Sequence, residues 1–167
     1  MYFHRSSSSL ETKKGKMKVA VIGATGLVGS TILKILEEIS ELDVEVFASK
    51  KSEGKKIKFR GTNLIVREAK KENIDANFAL LSAGGAFSKI IVPQLAEKGI
   101  VSIDNSSAFR KNDEYPLVVP EINGSSIRNS KIIANPNCST IQTVKVLHYF
   151  KEHLSWVNYC LLYTSDS

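Results

Sequence analysis

A chain of 167 residues with 43% hydrophobic content is long enough to bury one ordinary core without disulfides or a structural metal. It contains no uninterrupted apolar run of the roughly 18 to 20 residues that a membrane-spanning helix needs, and its first residues lack the apolar core of a signal peptide, so the reading is a soluble, cytoplasmic protein. The net charge of +6 is not a nucleic-acid signature: Arg5, Lys13, Lys14 and Lys16 against Glu11 put half of it in a Ser-rich leader, and the rest is scattered without interleaved aromatic residues.

In chain order, residues 1–16 read as that disordered leader, with Met17 as the natural start of the folded body. "KVAVIG" reads as a short buried strand. Leu27 to Ile39 follows as a helix with apolar positions Val28, Ile32, Ile35, Leu36 and Ile39 facing the sheet. "VEVFAS" is the next strand, "IKFRGTNLIVRE" a pair of short strands turning at Gly61, and "NFALLSA" another buried strand. Ser88 to Lys98 reads as a helix that holds Pro93 in its first turns or is kinked by it. "IVSIDN", "LVVP" and "KIIAN" are later strands, and Cys138 to His153 is the last helix. Apolar runs alternating with helical patterns predict an α/β, doubly wound, mostly parallel sheet.

Two stretches carry chemistry. "GATGLVG" sets Gly23, Gly26 and Gly29 between the first strand and the first helix, where backbone amides and the helix dipole receive a pyrophosphate; a purely structural glycine turn is the alternative. The second strand then ends in "FASKKSEGKK", where Ser49, Lys50, Lys51 and Ser52 precede the first acid, Glu53. Hydroxyls and ammonium groups there favour the 2′-phosphate of NADP over NAD, against the plainer reading of a solvated lysine loop.

"IIANPNCSTIQ" places Cys138 at the start of the last helix. The thiolate is the nucleophile, and a free cysteine with a pKa near ~8.5 is mostly protonated at neutral pH unless a helix N-terminus or a cation intervenes. Pro136 stiffens the approach, Asn137 offers an amide to an oxyanion, and free N–H groups of Ser139 and Thr140 would point into the same volume. The alternative is a structural cysteine beside a turn. Neither Cys138 nor Cys160 sits in a Cys-x-x-Cys pair or near ligand-spaced histidines, which argues against a disulfide framework and against zinc; Cys160 reads as structural. His148, ten residues along the helix, is roughly 15 Å from Cys138 at ~1.5 Å per residue, and His153 is farther, so neither is its base. "DNSSAFR" offers Arg110 as a clamp for an anion or as a surface residue, and "VVPEIN" offers Glu121 as a supporting or a plain turn acid.

In this order "GATGLVG", "SAGGAFS", "DNSSAFR", "VVPEIN" and "NPNCSTIQ" resemble the N-terminal part of the aspartate-semialdehyde dehydrogenases over about Met17 to Phe150. The resemblance implies a Rossmann-like domain and NADP-dependent reductive dephosphorylation of L-aspartyl 4-phosphate through a cysteine thioacyl intermediate, in lysine, threonine and methionine biosynthesis. It implies that Cys138 is the nucleophile, Asn137 its orienting neighbour and Arg110 the ligand of the substrate phosphate. It further implies that Thr25, Gly26, Leu27 and Val28 belong to the cofactor loop that Gly23 opens, with Lys51 and Ser52, beside Ser49, at the 2′-phosphate and Ser82, Ala83 and Gly84 in a later cofactor-lining turn.

Members of that family continue into a Gln-bearing strand and a second domain that supplies a histidine acid/base, another arginine and most of a homodimer interface. Those segments are expected to be absent here. The reading is therefore a domain at 17–155 carrying the cysteine, with a truncated or foreign tail at 156–167, and a chain expected to bind NADP weakly and to turn over little or nothing. Two alternatives stand beside it: a non-catalytic NADP-binding module, and an N-acetyl-glutamyl-phosphate reductase, whose nucleophile motif resembles Pro-Gly-Cys-Tyr-Pro where this chain has Asn137 and Ser139 around the cysteine.

Overall fold

The computed structural model describes residues 16–158. The leader and Cys160, with most of the tail, lie outside the described residues. Six parallel strands form the main sheet: β1 (Met17–Ile22), β2 (Leu42–Ala48), β5 (Arg67–Glu68), β6 (Phe78–Leu81), β7 (Val101–Asp104) and β8 (Ile132–Ala134). Their order across the sheet is β5-β2-β1-β6-β7-β8, and a separate antiparallel hairpin pairs β3 (Lys56–Phe59) with β4 (Thr62–Ile65). The expected doubly wound sheet is present.

Both faces are covered, and the two-residue period of β1 shows how. Ala20 and Ile22 join a core with Ile91, Val92 and Leu95 of α2 (Gly85–Glu97). Val19 and Val21 join another with Leu33 and Leu36 of α1 (Leu27–Leu36). Strands buried on both sides read as unbroken apolar runs, as "KVAVI" does.

Several elements depart from the sequence reading. In α1 the expected Ile32 and Leu36 pack on the sheet together with Gly29 and Leu33, whereas Val28, Ile35 and Ile39 are exposed, and the helix stops at Leu36 rather than Ile39. The glycine at position 29 lets α1 approach the β1 turn closely and so turns part of the expected stripe outward. The second helix begins at Gly85, three residues early, because Gly84 takes a positive φ of 84° and turns the chain into it; Pro93 lies well inside and the helix continues through it. "LVVP" is not a strand: Leu117 makes one isolated parallel bridge to Ala134, and the chain enters the short α3 (Pro120–Asn123). The last helix, α4 (Cys138–Phe150), ends before His153, which lies in a 3₁₀ turn.

The hairpin is fastened by one side chain. Arg60 (φ 45°) and Gly61 (φ 77°) form its left-handed two-residue turn. The Arg60 guanidinium donates to the carbonyls of Leu36, Glu37, Ile39 and Leu42, at the end of α1 and the start of β2.

Candidate active site

The strand order reverses between β1 and β6, and a crevice opens at the carboxyl ends of such neighbours. Ser82, just after β6, donates its N–H to the Ile22 carbonyl at 2.9 Å. Gly23 follows β1 with φ 86°, and a Cβ there would lie 2.6 Å from the Ser82 carbonyl oxygen, so only glycine fits. A Cβ on Gly29 would lie 2.2 Å from the Gly23 oxygen. Gly26 caps α1 without any side-chain hydrogen bond, which leaves the N–H groups of the first turn, at Leu27 and Val28, without an intrahelical partner. Thr25 and Leu27 are exposed on this loop.

Beside the loop lies a cleft of about 330 Å³ whose floor includes Ile22, Ala48, Ala69 and Phe87, with Gly23 and Ala83 at one side and Ser49 and Lys50 at the rim. Lys50 therefore faces the cleft, while Lys51 is exposed on the next position and Ser52 is buried, its N–H bonded to the Ser49 carbonyl at 2.8 Å. Glu68 also lines the cleft, and Lys70 pairs with it at 2.7 Å; that hydrogen bond and the carboxylate's charge hold the Lys70 pKa above its ordinary value. The acid at this rim is thus met by a cation, and Lys50 has no ion-pair partner among the described residues. An apolar floor, a cationic rim and free amides at a helix start fit the adenosine and pyrophosphate of a dinucleotide.

Gly84 and Gly85 carry the chain over to the second polar cluster, where a Cβ on Gly85 would approach the Ser107 hydroxyl at 3.7 Å. At its base is Asp104, fully buried, which accepts from the Ser88 hydroxyl at 2.8 Å, the Ser106 hydroxyl at 2.5 Å and the Ser106 N–H at 3.2 Å. Those bonds satisfy a carboxylate that has no cation beside it, and they fix the turn leading to Arg110. Arg110 is half-buried; its Nε donates to the Asn135 carbonyl at 2.9 Å and its Nη2 to the Asn105 carbonyl at 2.7 Å. No carboxylate pairs with it among the described residues, so neutral carbonyls aim the guanidinium and its charge remains available to an anion.

Three residues beyond Asn135, Cys138 opens α4 and is exposed. Asn137 is the N-cap: its Oδ1 accepts from the Ser139 N–H at 3.0 Å and lies 3.9 Å from the Cys138 Sγ. This corrects one expectation, because the Ser139 N–H is occupied by the cap and cannot serve an oxyanion. The Asn137 Nδ2 and the Thr140 N–H make no hydrogen bond within the described residues. Glu121 lies farther along and pairs with Lys145 of α4 at 2.5 Å; the lysine's hydrogen bond holds the Glu121 carboxyl below its ordinary pKa. His148 is in the last turn of α4, away from the thiol. No cluster of metal-ligating side chains occurs among the described residues, and none of their helices is long and apolar enough to cross a membrane.

A family model described as "Semialdehyde dehydrogenase, NAD binding domain" matches residues 18–130. The chain belongs to that family. Aspartate-semialdehyde dehydrogenase of Bacillus subtilis is 47% identical over 135 residues, covering 78% of this chain and 39% of that protein. The Aquifex aeolicus enzyme of the same name is 49% identical over 139 residues, covering 78% of this chain and 40% of its own length. The chain therefore spans about two-fifths of the relatives it matches. The crystal structure of aspartate semialdehyde dehydrogenase II from Vibrio cholerae complexed with ASA superposes with a TM-score of 0.75 at 43% identity, covering 83% of this chain and 47% of that one. The NAD-binding family and the parallel sheet agree with the sequence reading.

Lys50, read in the sequence with its loop, lines the cleft. Asn105 belongs to the polar cluster read after its strand, but its role here, shared with Asn135, is to hold Arg110 through a backbone carbonyl, which no side-chain motif signals.

Proposed function

We propose that this chain is the cofactor-binding and nucleophile-bearing part of a cytoplasmic, homodimeric aspartate-semialdehyde dehydrogenase. Its reaction is the NADP-dependent reductive dephosphorylation of L-aspartyl 4-phosphate to L-aspartate 4-semialdehyde. The observation that carries this reading is convergence: the guanidinium of Arg110, unpaired with any described carboxylate, is held by the carbonyl of Asn135, three residues before the exposed Cys138 thiol.

The Cys138 thiolate attacks the acyl carbon, the bond from that carbon to the phosphate oxygen breaks, and the departing phosphate is received by Arg110. The Asn137 Nδ2 donates to the oxyanion while the carbon is tetrahedral, a stabilisation available only in the transition state and intermediate. When bound, NADPH supplies the hydride that reduces the thioacyl carbon. Collapse then expels the Cys138 sulfur and releases the aldehyde. Gly23, Thr25, Gly26, Leu27 and Val28 would hold the pyrophosphate, Ser49, Lys50, Lys51 and Ser52 the 2′-phosphate side, and Ser82, Ala83 and Gly84 the turn beside the nicotinamide. No histidine among the described residues reaches Cys138, so the proton-transfer group of the complete enzyme belongs to the length of the relatives that this chain does not match.

Two measurements test this. Calorimetry should find NADP bound more tightly than NAD, and incubation with acetyl phosphate, a simple acyl phosphate, should leave an acyl adduct that peptide mass spectrometry places on Cys138. NADP binding with no adduct would favour a non-catalytic NADP-binding module. Binding of neither would overturn both.

A further inference from the structure

Between the guanidinium and the thiol lies Asn135, whose side chain faces neither. It leaves β8 half-buried and makes three hydrogen bonds: its N–H donates to the Asp104 carbonyl at 2.9 Å, its carbonyl accepts from Arg110 Nε at 2.9 Å, and its Nδ2 donates to Asn105 Oδ1 at 2.5 Å. Asn105 mirrors it after β7. Its N–H and Nδ2 both donate to the Leu81 carbonyl, at 3.0 and 2.8 Å, and its carbonyl accepts from Arg110 Nη2 at 2.7 Å. The two carbonyls that grip the guanidinium thus belong to two residues whose side chains are bonded to each other.

The direction of that bond is fixed. Because Asn105 commits its Nδ2 to Leu81, only its Oδ1 faces Asn135, and position 135 must present a donor. From Asn135 the chain reaches Cys138 in three residues, about 10 Å at most when extended, through buried Pro136 and the capping Asn137. An amide pair bracing two strand ends would be unremarkable by itself. Here its backbone carbonyls are also the seat of the anion-binding charge, and one of its members leads into the nucleophile.

We propose that the Asn105–Asn135 carboxamide pair is the positioning element that sets Arg110 relative to Cys138, so that a phosphate held by the first presents its acyl carbon to the second. This rests on the function proposed above. Without the pair, each carbonyl is still present but the two move independently, and the guanidinium loses a single orientation.

The test uses the 167-residue chain with inorganic phosphate and iodoacetamide as probes, following alkylation of the Cys138 peptide by mass spectrometry. In the wild-type chain, phosphate at Arg110 should protect Cys138. N105A and N135A should each raise the phosphate concentration for half-protection by about tenfold, and the double variant should raise it no further, because either change breaks the same bond. NADP affinity should be unchanged in N135A, a control that an unfolded chain would fail; if N135A fails it, Asn135→Ser, polar but too short to reach Asn105, takes its place with the same expectation. Half-protection within about twofold of wild type in the position-135 variant, or losses that multiply in the double variant, would overturn the proposal. If phosphate does not protect even the wild-type chain, the Arg110 assignment fails and the proposal, which rests on it, falls with it.

Discussion

Replacing Gly29 with alanine pits two well-known effects against each other. In an ordinary exposed helix the change would stabilise by up to about 1 kcal/mol, because glycine is the poorer helix former. Here the new Cβ would sit 2.2 Å from the Gly23 carbonyl oxygen and 2.8 Å from Ala24 Cα, below the 3.0 Å that real Cβ contacts essentially never breach. Both obstacles are backbone and cannot rotate aside, so the start of α1 has to move outward by most of an ångström. Overpacking of this kind costs about 1–3 kcal/mol, which leaves a net loss of about 1–2 kcal/mol after the helical gain. The displaced turn is also the one that offers the Leu27 and Val28 amides, so NADP affinity should fall more than tenfold, by about 1.4 kcal/mol or more. Urea midpoints and calorimetric titration measure the two effects. Gly26→Ala is the comparison, since its Cβ would meet only the Gly23 oxygen, at 3.4 Å, and should cost only the roughly 0.5–1 kcal/mol by which alanine is the poorer N-cap. A G29A chain that is more stable than wild type and binds NADP equally well would refute the close-approach argument.

Other consequences are as specific. Lys50→Ala should weaken NADP by about tenfold and leave NAD nearly unchanged, with the difference shrinking as salt is added; equal losses for both nucleotides would remove Lys50 from the 2′-phosphate. Ser88→Ala withdraws one of the three donors to buried Asp104 and should cost about 1.5–3 kcal/mol in urea unfolding, and a loss near zero would mean that Ser106 alone satisfies the carboxylate. The Lys18 ammonium, hydrogen-bonded to Asp75 at 2.7 Å, holds that carboxyl below its ordinary range, so the pair stabilises the chain above the unfolded carboxylate pKa near ~4 and the benefit disappears as pH falls through the lowered folded value. Asp75→Asn should therefore lower the melting temperature slightly at neutral pH and not at strongly acid pH; a difference that persists in acid would point to packing instead.

The strands of this fold were legible wherever burial on both faces made them continuous apolar runs, as in β1, β2 and β6. Pattern failed where a single backbone contact decided the outcome. In α1 the expected Ile32 and Leu36 do pack on the sheet, but Val28 and Ile35 do not, because the approach of Gly29 to Gly23 centres the buried stripe on Leu33. "LVVP" has strand composition, but Pro120 begins a helix immediately after it and leaves room for one bridge. In the candidate site, the residues proposed to act through their side chains, Arg110 and Cys138, are suggested by their types. Those that act through carbonyls, Asn105 and Asn135, are not, because every residue has a carbonyl and only the fold selects which ones meet a guanidinium. The Ser139 amide was misjudged for a related reason: the cap that makes Asn137 a good helix start consumes the donor it was expected to leave free.

The β3–β4 hairpin looks like a dispensable excursion between β2 and β5, outside the main sheet. Through Arg60, however, it closes the open end of α1, where the chain provides no glycine stop and one distant guanidinium reaches four carbonyls, two of them already bonded by backbone N–H groups. Excising the hairpin to make a smaller scaffold would thus fray the helix from its far end, loosening the element whose other end is proposed to hold the dinucleotide. A minimal version of this domain would have to supply a new C-terminal stop for that helix before the loop could be shortened.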